Sequence, residues 1–143
     1  MLLKAKFTFI IICLSVMAAQ AHHDFISLNN YISKYKDIAI TEMERTGIPA
    51  SIKLGQGIME SVHGNSKLAR NSKNHFGIKC KKEWTGKKYF HKDDDRNKKG
   101  KLIKSCFRVY PSVYASYIDH SNFLTSRDRY AGLFAFSSTD YVN

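Results

Sequence analysis

The sequence predicts an α+β protein, mainly helical with a small antiparallel β-hairpin lobe, on three observations. Apolar residues recur at helical spacing on both sides of the chain's middle, between Leu28 and Arg45 and again after Pro111. Between them, from Asn74 to Tyr110, the texture changes to short apolar-alternating stretches separated by polar linkers. The length of 143 residues supports one folded domain, and 43% hydrophobic content is ample for a core, which excludes wholesale disorder.

The first element is a targeting segment. Lys4 and Lys6 precede an apolar run from Phe7 to Met17, which closes on Ala19-Gln20-Ala21, the small-x-small pattern of a signal-peptide cleavage site. The run is too short for a membrane span, which needs about 20 apolar residues, so no stable anchor is expected after cleavage. Cys13 follows Ile12, and a lipid-attachment cysteine would follow a small residue. Residues 1–21 are therefore read as a signal peptide and 22–143 as the mature domain, secreted to the periplasm, cell envelope or exterior. Cleavage removes two of the eleven net positive charges and no acid, leaving +9. It also leaves two cysteines, Cys80 and Cys106, in an oxidising compartment, where a disulfide is the expected state. Such a staple contributes about 3 kcal/mol by restricting the unfolded chain. A zinc site using His75 and His91 is the rival, but no CxxC or HxxxH spacing supports it, so neither metal nor cofactor is expected.

In the mature region Leu28, Tyr31, Ile32, Tyr35, Ile38, Ala39 and Met43 form one helical face, with Ser27 as N-cap and Gly47 just past the end. Pro49 suits the first turn of a second helix running to about His63. Gly64 ends it, and Asn65 or Ser66 caps a short third helix through Arg70. His75–Cys80, Trp84–His91 and Leu102–Tyr110 read as strands, and the charged stretch Lys92–Lys101 as a solvated loop. After Pro111, Val113, Tyr117, Ile118 and Leu124 make a further helix through about Ser126. Tyr130–Phe134 suggests a short helix or turn.

Glu60, at the end of the second helix, is the first candidate for chemistry. Apolar neighbours and a helix C-terminus both disfavour a charged carboxylate, the setting in which an acid keeps a proton to donate to a glycosidic oxygen. The triplet Asp93, Asp94 and Asp95 is the second. Its bland reading is a polar hairpin tip among lysines. Its functional reading is a carboxylate facing Glu60 across a cleft, since glycosidases commonly use two. Sequence does not rank the three. Aromatic side chains, Trp84, Tyr89, Phe90, Tyr110, Tyr114, Tyr117 and Tyr130, exceed what a core of this size needs, and sugar rings stack on such faces. Asn74, His75, Phe76 and Gly77 either line the cleft or form the turn.

These residues together resemble a known family. Ile48-Pro49-Ala50-Ser51, Gln56-Gly57-Ile58-Met59-Glu60-Ser61, Gly64-Asn65-Ser66 and Leu68-Ala69 are similar to its catalytic-helix signature. Asn74-His75-Phe76-Gly77-Ile78-Lys79 with Trp84-Thr85-Gly86 is similar to its second block. Tyr117-Ile118-Asp119-His120-Ser121, Phe123-Leu124 and Arg129-Tyr130 are similar to its third. The family is the glucosaminidase domain of glycoside hydrolase family 73, the bacterial peptidoglycan β-N-acetylglucosaminidases, and the resemblance spans about Tyr31 to Tyr141.

The resemblance implies a lysozyme-like fold with a helical lobe and a hairpin lobe around a glycan groove. It implies hydrolysis of the N-acetylglucosaminyl-β-1,4-N-acetylmuramic acid bond, with Glu60 as general acid. The second acidic residue falls on Asp93 to Asp95, where many relatives carry the longer Glu. Tyr117 and Tyr130 fall at aromatic positions near the groove, with Tyr130 the stronger candidate for substrate contact, beside Asn74, Phe76 and Trp84. The Cys80 and Cys106 pair occurs in one branch of the family and ties the hairpin's base. Two departures stand out. Ser61-Val62-His63-Gly64 replaces the smaller residues common after the acid, and the chain stops at Tyr141-Val142-Asn143, where relatives usually continue with a further helix, which reads as a C-terminal truncation.

The partner implied is the anionic glycan of peptidoglycan, which a charge of +9 suits, with the protein acting as a monomer. Water activated by an Asp, or the substrate's own acetamido group, completes the reaction in this reading. The alternatives are a lytic transglycosylase, distinguished by anhydro-sugar ends, and an inactive wall-binding module. A nucleic-acid binder is suggested by charge alone, and export together with the acidic triplet argues against it.

Overall fold

The computed structural model describes residues 2–134. α1 (Leu2–Thr46) is followed by α2 (Ala50–Ser61) and α3 (Lys67–Ser72), then by the hairpin β1 (Lys88–Arg96) and β2 (Leu102–Arg108). α4 (Val113–Thr125) and a 3₁₀ helix (Asp128–Phe134) close the described chain. The hairpin is antiparallel, pairing Lys88 with Arg108 and Phe90 with Cys106, and its register slips between Lys92 and Arg96. This is the mostly helical α+β arrangement that the sequence predicts.

Several boundaries differ from those expected. α1 does not start at a Ser27 cap: no Gly or Pro interrupts residues 2–46, and the helix runs unbroken through Ser27. Ser27 Oγ instead meets His63 Nδ1 and Asn65 Nδ2, each at 3.2 Å. Among the described residues no helix is long and apolar enough to cross a membrane. His75–Cys80 is not a strand but a loop with one bridge, Lys79 to Phe107. Trp84 precedes β1, and Lys92–Arg96, expected as loop, belongs to β1; the turn is confined to residues 97–101. Asn97 makes that turn by accepting the N–H groups of Lys99 and Lys101 on its side-chain oxygen. The segment 135–143, with the expected C-terminal motif, lies outside the described residues.

Of the two caps expected for α3, Ser66 is the one used: its Oγ accepts from Ala69 N at 3.1 Å, and at the start of α4 Ser112 Oγ accepts from Ala115 N at 3.1 Å. The core joins Tyr31, Tyr35 and Ala39 of α1 to Tyr117 of α4 and to Phe76 and Ile78 of the loop. Gly57 of α2 is where these elements meet, since a methyl there would lie 2.6 Å from the Tyr31 hydroxyl and 2.9 Å from that of Tyr117.

Polar groups tie the helices together inside this core. Lys53 of α2 is fully buried and donates to the Tyr117 carbonyl at 3.1 Å and to Ser121 Oγ. His75 pairs with the Tyr31 hydroxyl at 2.8 Å, and the His120 ring stacks on Phe76 at 4.1 Å. Burial pushes the His75 imidazole down to about 4, helped by the charge of Lys34. Burial likewise pushes His120 down to about 3, helped by Lys53.

A neutral histidine in the folded chain and a protonatable one in the unfolded chain make folding pH-dependent. Both folded-state values lie below the unfolded value, so this stability is complete above about pH 6.5 and is lost as pH falls towards 4. Unfolding stability is expected to drop by about 4 kcal/mol between pH 6.5 and 4.5, about half from each ring, above the range where most carboxylates protonate. Thermal unfolding across that interval checks it, and a flat midpoint would contradict the buried neutral state of both rings.

The hairpin is fastened to the helical lobe by Arg108, which is 7% exposed at the end of β2. Its Nη1 donates to both carboxylate oxygens of Asp119 on α4, at 3.1 and 2.9 Å. Tyr110 Oη donates to the same carboxylate, and the guanidinium lies 4.8 Å from the Trp84 ring centroid. The loop that carries Trp84 is thereby closed onto the base of the hairpin.

Candidate active site

Glu60 is the penultimate residue of α2, and what stops the helix shapes its surroundings. Val62 and His63 adopt left-handed conformations (φ 53° and 54°), followed by Gly64 at φ 81°. A β-branched residue is strained there. The turn is held because His63 N donates to the Ile58 carbonyl at 2.9 Å and Gly64 N to Ser61 Oγ at 2.7 Å. The expected apolar setting of Glu60 is not found: its carboxylate stands exposed, because the apolar neighbours Met59 (81% exposed) and Val62 (59%) also point outward.

The loop 74–80 passes beside this carboxylate. A Cβ built at Gly77 (φ 59°) would lie 3.7 Å from Glu60 Oε2, so glycine serves both the backbone conformation and the close approach. Asn74, 1% exposed, fixes the loop: its Oδ1 accepts from Ile78 N at 3.1 Å, and its Nδ2 donates to the carbonyls of Ile78 at 2.9 Å and Arg108 at 3.1 Å. The loop then joins the hairpin through a Cys80–Cys106 disulfide, as expected, and through Cys80 N donating to the Cys106 carbonyl at 2.8 Å.

The triplet is sorted by the strand it lies on. Asp93 and Asp95 are half-buried, while Asp94 between them, where the register of β1 slips, is exposed. Lys79, from the loop that flanks Glu60, places Nζ 2.8 Å from Asp93 Oδ2 and 2.7 Å from Asp95 Oδ2. Ser105 Oγ also donates to Asp95. Lys79 holds both carboxyls below the usual carboxylate range, and they in turn hold its ammonium above its own. The three carboxylates lie within 4.8 Å of one another, and the ammonium supplies the counter-charge that a cation would otherwise bring.

The expected aromatic and amide contacts divide. Tyr117 is fully buried and gives its hydroxyl proton to Tyr31 at 3.0 Å, so it has no surface to offer a sugar. Asn74 and Phe76 are likewise buried, the first as the loop's fastener and the second against His120. Trp84 is partly exposed between Arg108 and Tyr110. Tyr130 is partly exposed on the 3₁₀ helix, 6.1 Å from Phe123, with the Arg129 guanidinium over its ring. Gly77 was expected at the cleft or its turn, whereas Lys79 and Ser105 were not singled out by sequence as site residues. Reading 92–96 as strand would have put Asp93 and Asp95 on one face and prompted a search for their cation. A separate cleft of about 410 Å³, with Tyr31, Lys34, His63, Asn65 and His75 among its walls, opens beside α1 and does not include Glu60.

Glu60 thus stands beside a fixed glycine loop that, two residues on, carries the lysine bound to both hairpin carboxylates. The family model described as mannosyl-glycoprotein endo-beta-N-acetylglucosaminidase matches residues 36–143. The chain belongs to the glucosaminidase family. The peptidoglycan hydrolase FlgJ of Vibrio cholerae is 30% identical over 110 residues, covering 74% of this chain and 33% of that protein. The exo-glucosaminidase LytG of Bacillus subtilis is 35% identical over 79 residues, covering 54% of this chain and 27% of its own. The chain thus spans about a third of the length of the curated relatives it matches.

Among solved structures, the glycoside hydrolase domain of Salmonella typhimurium FlgJ superimposes with a TM-score of 0.61 at 27% identity, over 80% of this chain and 68% of that one. A C-terminally truncated form of the same domain gives 0.60 at 28% identity, over 78% of each. The glucosaminidase fold is accordingly the lysozyme-like one, with α2 carrying Glu60 in the helical lobe and the β1–β2 hairpin as the second lobe.

Proposed function

We propose that this glucosaminidase-family chain is an exported glycosidase that hydrolyses the N-acetylglucosaminyl-β-1,4-N-acetylmuramic acid bond of peptidoglycan, after loss of residues 1–21 as a signal peptide. Glu60 donates its proton to the glycosidic oxygen as the bond to the anomeric carbon breaks. A water adds to that carbon and gives its proton to the Asp93/Asp95 pair, which leaves a reducing N-acetylglucosamine end. Of the residues expected at the substrate, Trp84 and Tyr130 keep faces that can stack against flanking sugars. A mature charge of +9 draws the basic protein to the anionic wall.

The observation that carries this reading is the linkage from Glu60 past Gly77 to Lys79 and its two carboxylates. In this reading the hairpin carboxylates accept a proton and Glu60, at the helix end, delivers one. Release of soluble fragments from insoluble peptidoglycan tests it. Asp93→Asn and Asp95→Asn are each expected to slow release by at least 10-fold, whereas Asp94→Asn stays near the parent rate. Loss confined to Asp94→Asn would overturn the assignment.

A further inference from the structure

We infer that Lys79 is a positioning residue of this reaction, holding the Asp93 and Asp95 carboxylates together as anions on the hairpin face turned towards the Gly77 loop. The inference rests on the function proposed above and adds to it the group on which the hairpin carboxylates depend. Two carboxylates two residues apart on one strand face repel each other, and left alone the pair would retain a proton well into the acid range. The Lys79 ammonium contacts both, at 2.8 and 2.7 Å, and so cancels that repulsion.

Lys79 is also unlike a free surface lysine, because its backbone is fixed at several points. It bridges to Phe107 of β2, and the next residue, Cys80, is bonded to Cys106. Its ammonium stands 6.0 Å from the Phe107 ring centroid. The stem therefore leaves a loop that is covalently tied to the hairpin and passes Glu60 two residues earlier, at Gly77. One side chain thus couples the position of the loop beside the acid to the charge state of the pair opposite.

The other groups facing the pair do not replace it. Ser105 of β2 donates one neutral hydrogen bond, to Asp95 only. Lys81 of the loop acts on Asp95 by charge without contact. Lys92 and Lys104 face each other across the strands and are exposed to solvent. Asp94 is exposed beside the pair and adds negative charge.

The test is the pH dependence of kcat/KM for fragment release, in the parent, Lys79→Gln, Lys79→Arg and Glu60→Gln, with thermal unfolding of each recorded. The acid limb of Lys79→Gln is expected to move up by about half to one pH unit, while Lys79→Arg restores the parent limb. A structural role alone would lower the melting point or the whole profile without moving the limb. An unmoved acid limb in an active Lys79→Gln protein would overturn the role of Lys79 and leave the glycosidase reading standing. No release by the folded parent, or full release by Glu60→Gln, would instead overturn the reading itself and the inference with it.

Discussion

Glu60→Gln is expected to lower glycan cleavage by about 10²- to 10⁴-fold, because an amide presents the same shape but has no proton to deliver to the leaving oxygen. The same change is expected to leave thermal unfolding where it was. Glu60 is exposed and has no hydrogen bond or ion pair among the described residues, on the outer side of the last turn of α2. That combination separates chemistry from folding. Most substitutions that silence a small protein do so by destabilising it, and this site lets the two be measured independently. Activity and melting point falling together would place Glu60 in the architecture rather than in the reaction.

Asp119→Ala carries the largest expected effect on stability. It strips the partner from Arg108, whose guanidinium is 7% exposed and whose Nε already has no acceptor among the described residues. Glu83 is a weak substitute, at 3.4 Å and largely exposed. The Tyr110 hydroxyl loses its acceptor at the same time. Removing one member of such a pair leaves a buried charge uncompensated and costs about 3–5 kcal/mol, a large share of the stability of a domain this size. Chemical denaturation reads the loss. Arg108→Met combined with Asp119→Leu is expected to recover most of it, since replacing both charges removes the orphaned one. If the double variant were as unstable as Asp119→Ala, the lost shape of the hairpin junction rather than the unpaired charge would be the cause.

How much of this was legible in the sequence follows from which signals are local. The cap of α3 could be narrowed to Asn65 or Ser66 because capping is decided within four residues. The helical face of α4 and the two-stranded hairpin were legible from periodicity for the same reason. The start of α1 was not, because no Gly or Pro separates the apolar N-terminal stretch from the amphipathic helix that follows it. The strand β1 was extended past His91 against composition. Three aspartates and an arginine read as loop, yet Lys79 and Ser105 neutralise two of them and let the ladder continue to Arg96.

The candidate site divides in the same way. Glu60 was found from its place before a glycine break and from a family resemblance, but its exposure was not, since it depends on two residues taking left-handed conformations. Tyr117 was expected at the groove and lies in the core, because counting aromatics does not tell a stacking face from a packing one. Lys79 was invisible as a functional residue until the fold brought it against carboxylates 14 and 16 positions further along the chain.

The central claim is that this chain cuts the glycan by adding water at N-acetylglucosamine, and the ends of its products test that most directly. Purified peptidoglycan would be digested with the protein and with Glu60→Gln, and the soluble fragments resolved by mass spectrometry. Reducing N-acetylglucosamine ends released by the parent and absent from the variant are the predicted result. Anhydro-muramic ends, or no fragments from a folded parent, would contradict it.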